Sequence, residues 1–325
     1  MMKAIISEKY GSPETLTLRE VAMPTPKENQ VLVRVHASSI NFGNLVLLTG
    51  NPLPARLAFG LFKPKYLIPG GDIAGVVVAK GERVTQFQIG DEVYGDLSRS
   101  GWGAFAEYVV ADEDALALKP KNISFREAAS VPMAAITALQ AIRDKGMIRA
   151  GQNVLIHGAS GGVGTFALQI AKAYGADVTA VVSTQNVEIA RSLGADHVID
   201  YKKEDWADQH QTYDLIVGVN GSQPISKYKR KLKKNGIFVH VGGEGSQMYQ
   251  TMILGLWLSF VGKKKFITFM QKSNQKDLVL MKEFIEEGKV KPVIDRSYSL
   301  DEVPKAFQYF EKGHSQGKVI VTIRN

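Results

Sequence analysis

The apolar residues between positions 163 and 174 recur with the period of an α-helix. One face of the predicted helix carries Val163, Phe166, Ala167, Ile170, Ala171 and Tyr174. The run before it, Val154–His157, is typical of a short buried strand and leads directly into the glycine-rich turn Gly158–Gly164. Unpaired N–H groups at a helix start attract phosphate, and glycines let the phosphate approach closely. The segment predicts a phosphate cradle, although a glycine turn alone is equally compatible with an ordinary tight turn.

Strand and helix patterns alternate through the middle of the chain. Strands are predicted over 177–182, 197–200, 213–218 and 236–240, with a helix over 187–193. These strands show no polar alternation, which is typical of a parallel sheet buried on both faces. Gly175 and Gly194 stand where helices should end, as C-terminal caps do. The pattern therefore predicts a doubly wound, nucleotide-binding α/β sheet.

The first 120 residues show a different pattern. Strands are predicted over 3–7, 30–37, 75–79 and 104–111, separated by turns that carry glycine and proline. A helix is predicted over 125–143, and the tail predicts a helix over 275–288, a strand near 293, a helix over 300–312 and a strand over 318–323. We expect a β-rich domain over 1–124, a nucleotide-binding domain over 125–265 and a return of 266–325 to the first domain, with a cleft between them.

Composition supports a protein of ordinary build. A chain of 325 residues with 45% hydrophobic content is longer than one core usually holds, which favours two domains. The absence of cysteine excludes disulfides and thiolate chemistry and fits the cytoplasm, where we expect the protein. Charged residues interrupt Met1–Lys9 before a signal-peptide core can form. The apolar run Met252–Gly262 covers about half of the roughly 20 residues that a membrane crossing needs, so we interpret it as a buried or interface segment.

Several motifs resemble the medium-chain dehydrogenase/reductase superfamily. They are Gly70–Gly75, Gly81, Gly90–Gly95 and the coenzyme turn Ala159–Gly164. Leu193–Tyr201 and Gly317–Val319 are also similar to its quinone oxidoreductase branch. The resemblance runs nearly end to end. It implies a GroES-like β-rich domain, a doubly wound Rossmann parallel sheet, and hydride transfer from a nicotinamide cofactor.

The chain departs from the zinc-dependent members of this superfamily. They carry a histidine where this chain has Gly71, and a cysteine near Asn41–Asn44. The histidines show no pairing at the spacing of zinc ligands. His157 and His240 end predicted core strands, so we interpret them as hydrogen-bonded structural residues. We therefore expect no metal, which favours reduction of an already activated acceptor over oxidation of a plain alcohol.

The residues after the second nucleotide-domain strand bear on the choice of cofactor. NAD-preferring sites usually place Asp or Glu there, and such a charge repels a 2′-phosphate. This chain has Ser183-Thr184-Gln185-Asn186, whose hydroxyl and amide groups can donate to phosphate. A plain helix N-cap is the alternative interpretation of Ser183 and Thr184. The sequence favours NADPH, and dual use with NADH stays open.

The resemblance implies further contacts. With the turn and the strand-end residues, the predicted cofactor contacts are Asn41, Thr137, Ser160, Gly161, Gly162, Val163, Ser183, Thr184, Tyr201, Val241, Gly242 and Lys318. A quinone or enone needs a hydrogen-bond donor at its carbonyl oxygen, which Asn41 can supply. Tyr66 is a weaker catalytic candidate, because an aromatic residue that packs a loop explains it better. Asn44 replaces an aspartate of many relatives, which leaves an acid role there in doubt.

Charge suggests a rival function. The net charge of +8 is partly concentrated in Lys227–Lys234 and Lys263–Lys265, and such a basic face can bind RNA or an anionic membrane. The lysines of 227–234 are better explained as the last turns of a solvated surface helix. The favoured hypothesis is a zinc-independent, homodimeric reductase of quinones or α,β-unsaturated carbonyls. An alkenal or enoyl reductase is the alternative, and an NADPH-binding protein with a basic interaction surface is the alternative of another class.

Overall fold

The computed structural model describes residues 1–219, 223–242 and 263–324. The chain forms two compact units. The first comprises Met1–Met133, Ser273–Glu286 and Pro292–Asn325, and the second comprises Ala134–Lys272 and Glu287–Lys291. The domain boundaries that we place after residues 124 and 265 stay a prediction, as does the cleft. The predicted buried segment Met252–Gly262 lies outside the described residues.

The strands follow the predicted pattern closely in the middle of the chain. They are β1 (Met2–Ile6), β2 (Thr17–Val21), β3 (Gln30–Ser39), β4 (Asp72–Lys80), β5 (Glu92–Asp96), β6 (Tyr108–Asp112), β7 (Leu116–Leu118), β8 (Asn153–His157), β9 (Asp177–Val182), β10 (His197–Asp200), β11 (Tyr213–Val219), β12 (Leu232–Val241), β13 (Lys265–Thr268), β14 (Ile294–Ser299) and β15 (Lys318–Thr322).

The helices of the described residues are α1 (Phe42–Thr49), α2 (Arg56–Phe59), α3 (Phe125–Ala129), α4 (Pro132–Leu139), α5 (Gly162–Ala173), α6 (Val187–Ser192), α7 (Ile225–Lys231), α8 (Gln275–Glu286) and α9 (Val303–Glu311). Gly175 and Gly194, just beyond α5 and α6, have φ of 78° and 94°. This left-handed conformation is what a C-terminal glycine cap requires. No helix within the described ranges is long and apolar enough to span a membrane.

The second unit contains a parallel sheet in the order β10-β9-β8-β11-β12-β13. This confirms the predicted doubly wound sheet. The strand order reverses between β8 and β11, and ligands of such sheets bind outside the carboxyl ends of the strands at that point. The glycine turn follows β8 there. Phe166, Ala167, Ile170 and Ala171 of α5 are fully buried, as the helical period predicts.

The first unit contains a sheet in the order β14-β15-β3-β4-β5-β7, with β6 also paired to β3. The C-terminal strand β15 pairs antiparallel with β3 and so belongs to this sheet. Its core includes Val33, Ile73 and Val93, whose side chains are fully buried. This mixed, mainly antiparallel arrangement is the β-rich architecture that the sequence predicts.

The helix predicted over 125–143 and the strand predicted over 104–111 are wrong in extent. The helix over 125–143 is interrupted between α3 and α4, because the residue before Pro132 is disfavoured in the helical conformation. Its last part, Gln140–Lys145, is a π-helical turn. The strand predicted over 104–111 begins only at Tyr108. The N–H groups of Ala104 and Phe105 instead donate to Gly70 and Pro69.

Candidate functional site

Two glycines fix the turn that follows β8. Gly158 has φ of 85°, and a Cβ at that position would lie 1.9 Å from the carbonyl oxygen of Val219 on β11. A Cβ on Gly164 would lie 2.1 Å from the carbonyl oxygen of Gly158. Neither distance is tolerable for a side chain. Glycine is therefore required here for the close approach of the turn to β11 and of α5 to the turn.

Gly161 has a different surrounding from these two glycines. It is the N-cap of α5, with an extended backbone (φ −79°, ψ 175°), and it has no side chain to bond the first N–H groups of the helix. Among the described residues, a Cβ there would meet only the carbonyl oxygen of Gly158, at 3.9 Å. Ser160, Gly162 and Val163 flank this open position and are half-buried. The helix start thus offers amide donors beside open space, which fits a pyrophosphate.

A second polar group of residues forms at the carboxyl ends of β9 and β10. Ser183 follows β9 and accepts a hydrogen bond from the Asn186 side chain at 3.0 Å. The N–H of Tyr201 donates to Val182, which places the exposed Tyr201 side chain next to this strand end. The structure therefore brings Ser183, Thr184 and Tyr201 together, as the resemblance implies.

Sequence reasoning missed Asp200 in this group. Partial burial raises its pKa, but hydrogen bonds from Thr184 and from the Lys202 N–H more than offset that and lower the pKa below its ordinary value. The Lys203 ammonium lies 3.7 Å from the carboxylate. The carboxylate is thus charged and locally compensated. The sequence did carry a signal for Asp200, because it is an acid at the end of an apolar strand and stands next to Tyr201, a candidate for phosphate binding.

Val241 and Gly242 end β12 at the same edge of the sheet. Val241 is buried, and Gly242 has φ of 63°, with no atom of the described residues outside its chain neighbours within 4 Å of where a Cβ would stand. Backbone groups therefore border this edge, and the contact of Val241 and Gly242 with the cofactor stays a prediction. Thr137 lies half-buried on α4 in the same unit.

The two strand-end histidines differ in their partners. Nδ1 of His157 is hydrogen-bonded to the Tyr228 hydroxyl at 2.7 Å, so its structural interpretation is supported. Burial and the nearby Lys227 ammonium lower the pKa of His157 to about 4. Burial also lowers the pKa of His240 to about 4, but neither of its ring nitrogens has a hydrogen-bond partner among the described residues. Both rings are neutral at physiological pH.

The first unit buries a charged cluster around Asp72. Its carboxylate accepts hydrogen bonds from the Ser39 hydroxyl and the Asn41 amide, both at 2.7 Å, and from the Met133 N–H at 2.9 Å. The Lys318 ammonium lies 3.5 Å away. Asp72 is fully buried and Lys318 is only 3% exposed. Four different chain segments thus meet at one carboxylate.

Lys318 holds Asn41 within this cluster. Its ammonium donates to Asn41 Oδ1 at 2.5 Å and to the Ile40 carbonyl at 3.2 Å. Burial lowers the pKa of Lys318, and the neighbouring Asp72 carboxylate partly opposes that shift. The ammonium is therefore directed at Asn41 and Asp72. Its contact with the cofactor, which the resemblance implies, stays a prediction.

Asn44 has a structural role. Its side-chain oxygen accepts a hydrogen bond from the Asn41 N–H at 2.8 Å, so it helps to cap α1. Tyr66, the weaker catalytic candidate, is half-buried, and the Lys65 ammonium lies 5.3 Å from its ring centre. Asn41 and Tyr66 belong to the first unit, and Thr137 belongs to the second.

The surroundings of Gly71 disfavour a metal ligand at that position. A Cβ there would lie 3.2 Å from both the Met133 methyl group and the Trp102 ring, and 3.5 Å from an Asp96 oxygen. An imidazole would have to displace these groups. Within the described ranges, no group of three or more His, Cys, Asp or Glu side chains is arranged to hold a metal.

The basic segment 227–234 is largely compensated. Lys227 pairs with Asp205 at 2.5 Å, Lys233 with Asp214 at 2.8 Å, and Arg230 approaches Asp208 at 3.8 Å. The helix ends at Lys231, so Lys233 and Lys234 lie on β12, and the prediction of one continuous helix over 227–234 is wrong. Strand pairing of this segment with β11 overrides its helical pattern. The ion pairs support the interpretation of a solvated face.

Comparison with known proteins identifies the family. Residues 27–121 match the alcohol dehydrogenase GroES-like domain, and residues 193–321 match a family described as zinc-binding dehydrogenase. The chain is 36% identical over 335 residues to 2-methylene-furan-3-one reductase of Solanum lycopersicum, covering 98% of this chain and 79% of that protein. It is 37% identical to the chloroplastic NADPH-dependent alkenal/one oxidoreductase of Arabidopsis thaliana, with the same coverage.

A solved structure agrees with these relatives. The quinone oxidoreductase of Coxiella burnetii has a TM-score of 0.87, 29% identity, and coverage of 99% of both chains. The chain therefore belongs to the medium-chain dehydrogenase/reductase superfamily, in its quinone oxidoreductase branch. It is an oxidoreductase of an NAD(P)-dependent family.

The open space at Gly161 makes a direct test of the phosphate cradle. Gly161→Val should lower NADPH affinity more than about tenfold, because its side chain fills the space meant for the pyrophosphate, while the extended backbone accepts valine. Calorimetric titration measures the affinity, and thermal unfolding checks the fold. Gly164→Val, which clashes with the turn, should by contrast lose the fold. Unchanged NADPH affinity in folded Gly161→Val protein would contradict the hypothesis of a phosphate cradle at this turn.

The buried charge pair makes a stability prediction. Lys318→Met should lower the free energy of unfolding by about 3 to 5 kcal/mol, because it leaves the Asp72 carboxylate buried without its cation. Lys119→Met is the matched control, since Lys119 is also buried but pairs with Glu92, whose side chain is 54% exposed and can be rehydrated. Urea unfolding compares the two variants. If both variants lose the same free energy of unfolding, the neutral hydrogen-bond donors alone stabilise the Asp72 carboxylate.

Proposed function

We propose that this protein is a zinc-independent reductase that uses NADPH to reduce quinones and α,β-unsaturated carbonyl compounds. The observation that carries the proposal is the glycine turn after β8, where amide donors of α5 border open space at Gly161. We further propose a cytoplasmic homodimer. The names of the relatives from Solanum lycopersicum and Arabidopsis thaliana support a conjugated carbonyl as the acceptor.

The residues of the second unit fit NADPH. The turn residues Ser160–Val163 would hold the pyrophosphate, and Ser183, Thr184 and Tyr201 lie together where a 2′-phosphate would bind. The Lys203 ammonium lies 3.7 Å from the Asp200 carboxylate, so the negative charge of Asp200 is partly offset at that place. The bound cofactor supplies a hydride.

Asn41 is the proposed donor to the acceptor oxygen. Hydride addition to a conjugated carbonyl places negative charge on that oxygen, and a fixed donor stabilises it. One N–H of the Asn41 side chain donates to Asp72. The same nitrogen lies 3.4 Å from the Ser39 hydroxyl, and a hydrogen bond to the carbonyl oxygen of the substrate can replace this long contact. The Lys318 ammonium on Oδ1 polarises the amide and strengthens its remaining N–H as a donor.

Zinc independence is supported by the residues of the first unit. At Gly71 even a Cβ would lie 3.2 Å from the Met133 and Trp102 side chains, so a histidine there would require both to shift. Asp72 already has the Lys318 ammonium as its cation. A substrate that is activated by its own conjugation needs no Lewis acid, which is consistent with a quinone or an enone.

The end of β9 allows the cofactor preference to be tested. Ser183→Asp should shift the ratio of kcat/KM from NADPH toward NADH, because the added carboxylate repels a 2′-phosphate and can accept a hydrogen bond from a free 2′-hydroxyl. Ser192→Asp, which adds the same charge at the exposed end of α6, should leave the ratio unchanged. Steady-state kinetics with both cofactors measures it. A wild-type preference for NADH would contradict the proposal.

The acceptor and the role of Asn41 are tested together. The protein, with or without prior chelation, should reduce benzoquinones and enones and leave simple alcohols unoxidised. Asn41→Ala should cost roughly 1 to 3 kcal/mol in kcat/KM, the contribution of a hydrogen bond in a closed site, with a smaller effect on NADPH binding. Asn122→Ala, which loses a hydrogen bond to Ile285 elsewhere in the first unit, is the control.

Rates in that experiment are compared at equal folded fraction, because Asn41 also belongs to the Asp72 cluster. Oxidation of propanol by metal-free protein would overturn the proposed chemistry. An Asn41→Ala variant as fast as wild type on both acceptors would instead remove only the role of Asn41.

A further inference from the structure

Five large apolar side chains protrude from one short segment of the first unit. We call residues Leu53–Leu67 the apolar loop. Its exposed side chains are Leu53 (67% exposed), Leu57 (84%), Leu61 (56%), Phe62 (88%) and Leu67 (51%). The other large apolar side chains that are exposed among the described residues are spread over the rest of the chain. Isolated exposed leucines are ordinary, whereas a cluster marks an interaction surface.

The apolar loop is held in its conformation by contacts on its inner side. The Tyr10 hydroxyl donates to the Gly60 carbonyl, and the Arg56 guanidinium lies 4.6 Å from the centre of the Tyr10 ring. Phe59 packs edge-on against Trp102, with ring centres 6.0 Å apart. The loop thus has an inward aromatic residue of its own. These inner contacts hold the backbone of the loop, and Leu57 and Phe62 therefore project outward from it.

The charge of the apolar loop has one sign. Lys63 and Lys65 are exposed next to Phe62, and in the described part of the chain no carboxylate lies within ion-pair distance of either ammonium. No acidic residue occurs between Asn29 and Gly71 in the sequence. The loop therefore combines apolar tips with uncompensated positive charge.

We propose that the apolar loop docks this protein on the surface of an anionic lipid bilayer. Leu57, Leu61 and Phe62 would enter the boundary between headgroups and acyl chains, where burial of apolar surface is favourable. Lys63 and Lys65 would remain at the level of the lipid phosphates, because long cationic side chains extend toward charged headgroups. One surface thus supplies both the apolar and the electrostatic contribution.

Charge decides against the other occupants. A two-fold interface centred on the loop would bring Lys63 and Lys65 of two copies together, and the loop itself supplies no carboxylate to pair with them. A nucleic acid would pair with the lysines but leave Leu57 and Leu61 in water. An anionic bilayer satisfies both kinds of side chain. The proposal concerns binding to lipid and does not depend on the proposed reaction.

Vesicle flotation tests the docking surface. The full-length protein should float with phosphatidylcholine vesicles that contain phosphatidylglycerol, and much less with phosphatidylcholine alone. Lys63→Gln/Lys65→Gln should weaken binding to the anionic vesicles roughly thirtyfold, and high salt should have the same direction of effect. Leu57→Ser/Phe62→Ser should weaken it at least about tenfold at any salt concentration. All these residues are exposed, so the folded state should be retained, which circular dichroism checks.

Two matched variants separate the apolar loop from general properties of the protein. Ile89→Ser/Met270→Ser removes apolar side chains of comparable exposure, 67% and 90%, and should bind as wild type does. Lys229→Gln/Lys234→Gln removes the same charge from the basic segment and should also bind normally. If this second variant loses binding while the loop variants keep it, the proposal is wrong. The docking proposal is also overturned if the wild type does not bind anionic vesicles. It is overturned likewise if the loop variants change the oligomeric state in gel filtration, because that would show that a second copy covers the loop.

Discussion

The buried ion pair between Lys318 and Asp72 joins three neighbouring strands of the first unit. Lys318 begins β15, Asp72 begins β4, and Ser39, which donates to the same carboxylate, ends β3. Removal of either charge alone leaves the other without compensation in a water-free place, which costs several kcal/mol. The pair also fixes the amide of Asn41 from both sides. The position of the proposed donor therefore depends on a residue close to the C-terminus, although Asn41 itself stands near the start of the chain.

Local patterns predicted the nucleotide-binding sheet well, because its strands are buried on both faces and its helices have one apolar face. β10 has the bounds that the sequence predicts, and the caps at Gly175 and Gly194 are where the pattern places them. Errors arose where a distant contact or one residue overrides the local pattern. Pro132 interrupts a helix whose apolar period continues past it. The pairing of β12 with β11 draws Lys233 and Lys234 out of the predicted helix.

The same distinction explains which site residues were visible in the sequence. The glycine turn is local, so the turn together with the strand and helix patterns that flank it indicates a phosphate cradle. The Asp72 cluster joins segments that are far apart in sequence, and no local period encodes it. Its available signal was an acid at the start of an otherwise apolar strand, where an unpaired charge would be costly. The same signal, at the end of β10, applies to Asp200.

Charge balance connects the structure to the proposed chemistry. A buried carboxylate beside the proposed substrate site would need a cation, and in this protein the chain supplies one as Lys318. With the donors of Ser39, Asn41 and Met133 also directed at Asp72, the carboxylate has little remaining capacity for a metal ion. The amide of Asn41 is a neutral donor, and a neutral donor stabilises a developing oxyanion less than a metal does. Such a site suits an acceptor whose own conjugation spreads the negative charge, which is the property that quinones and enones share.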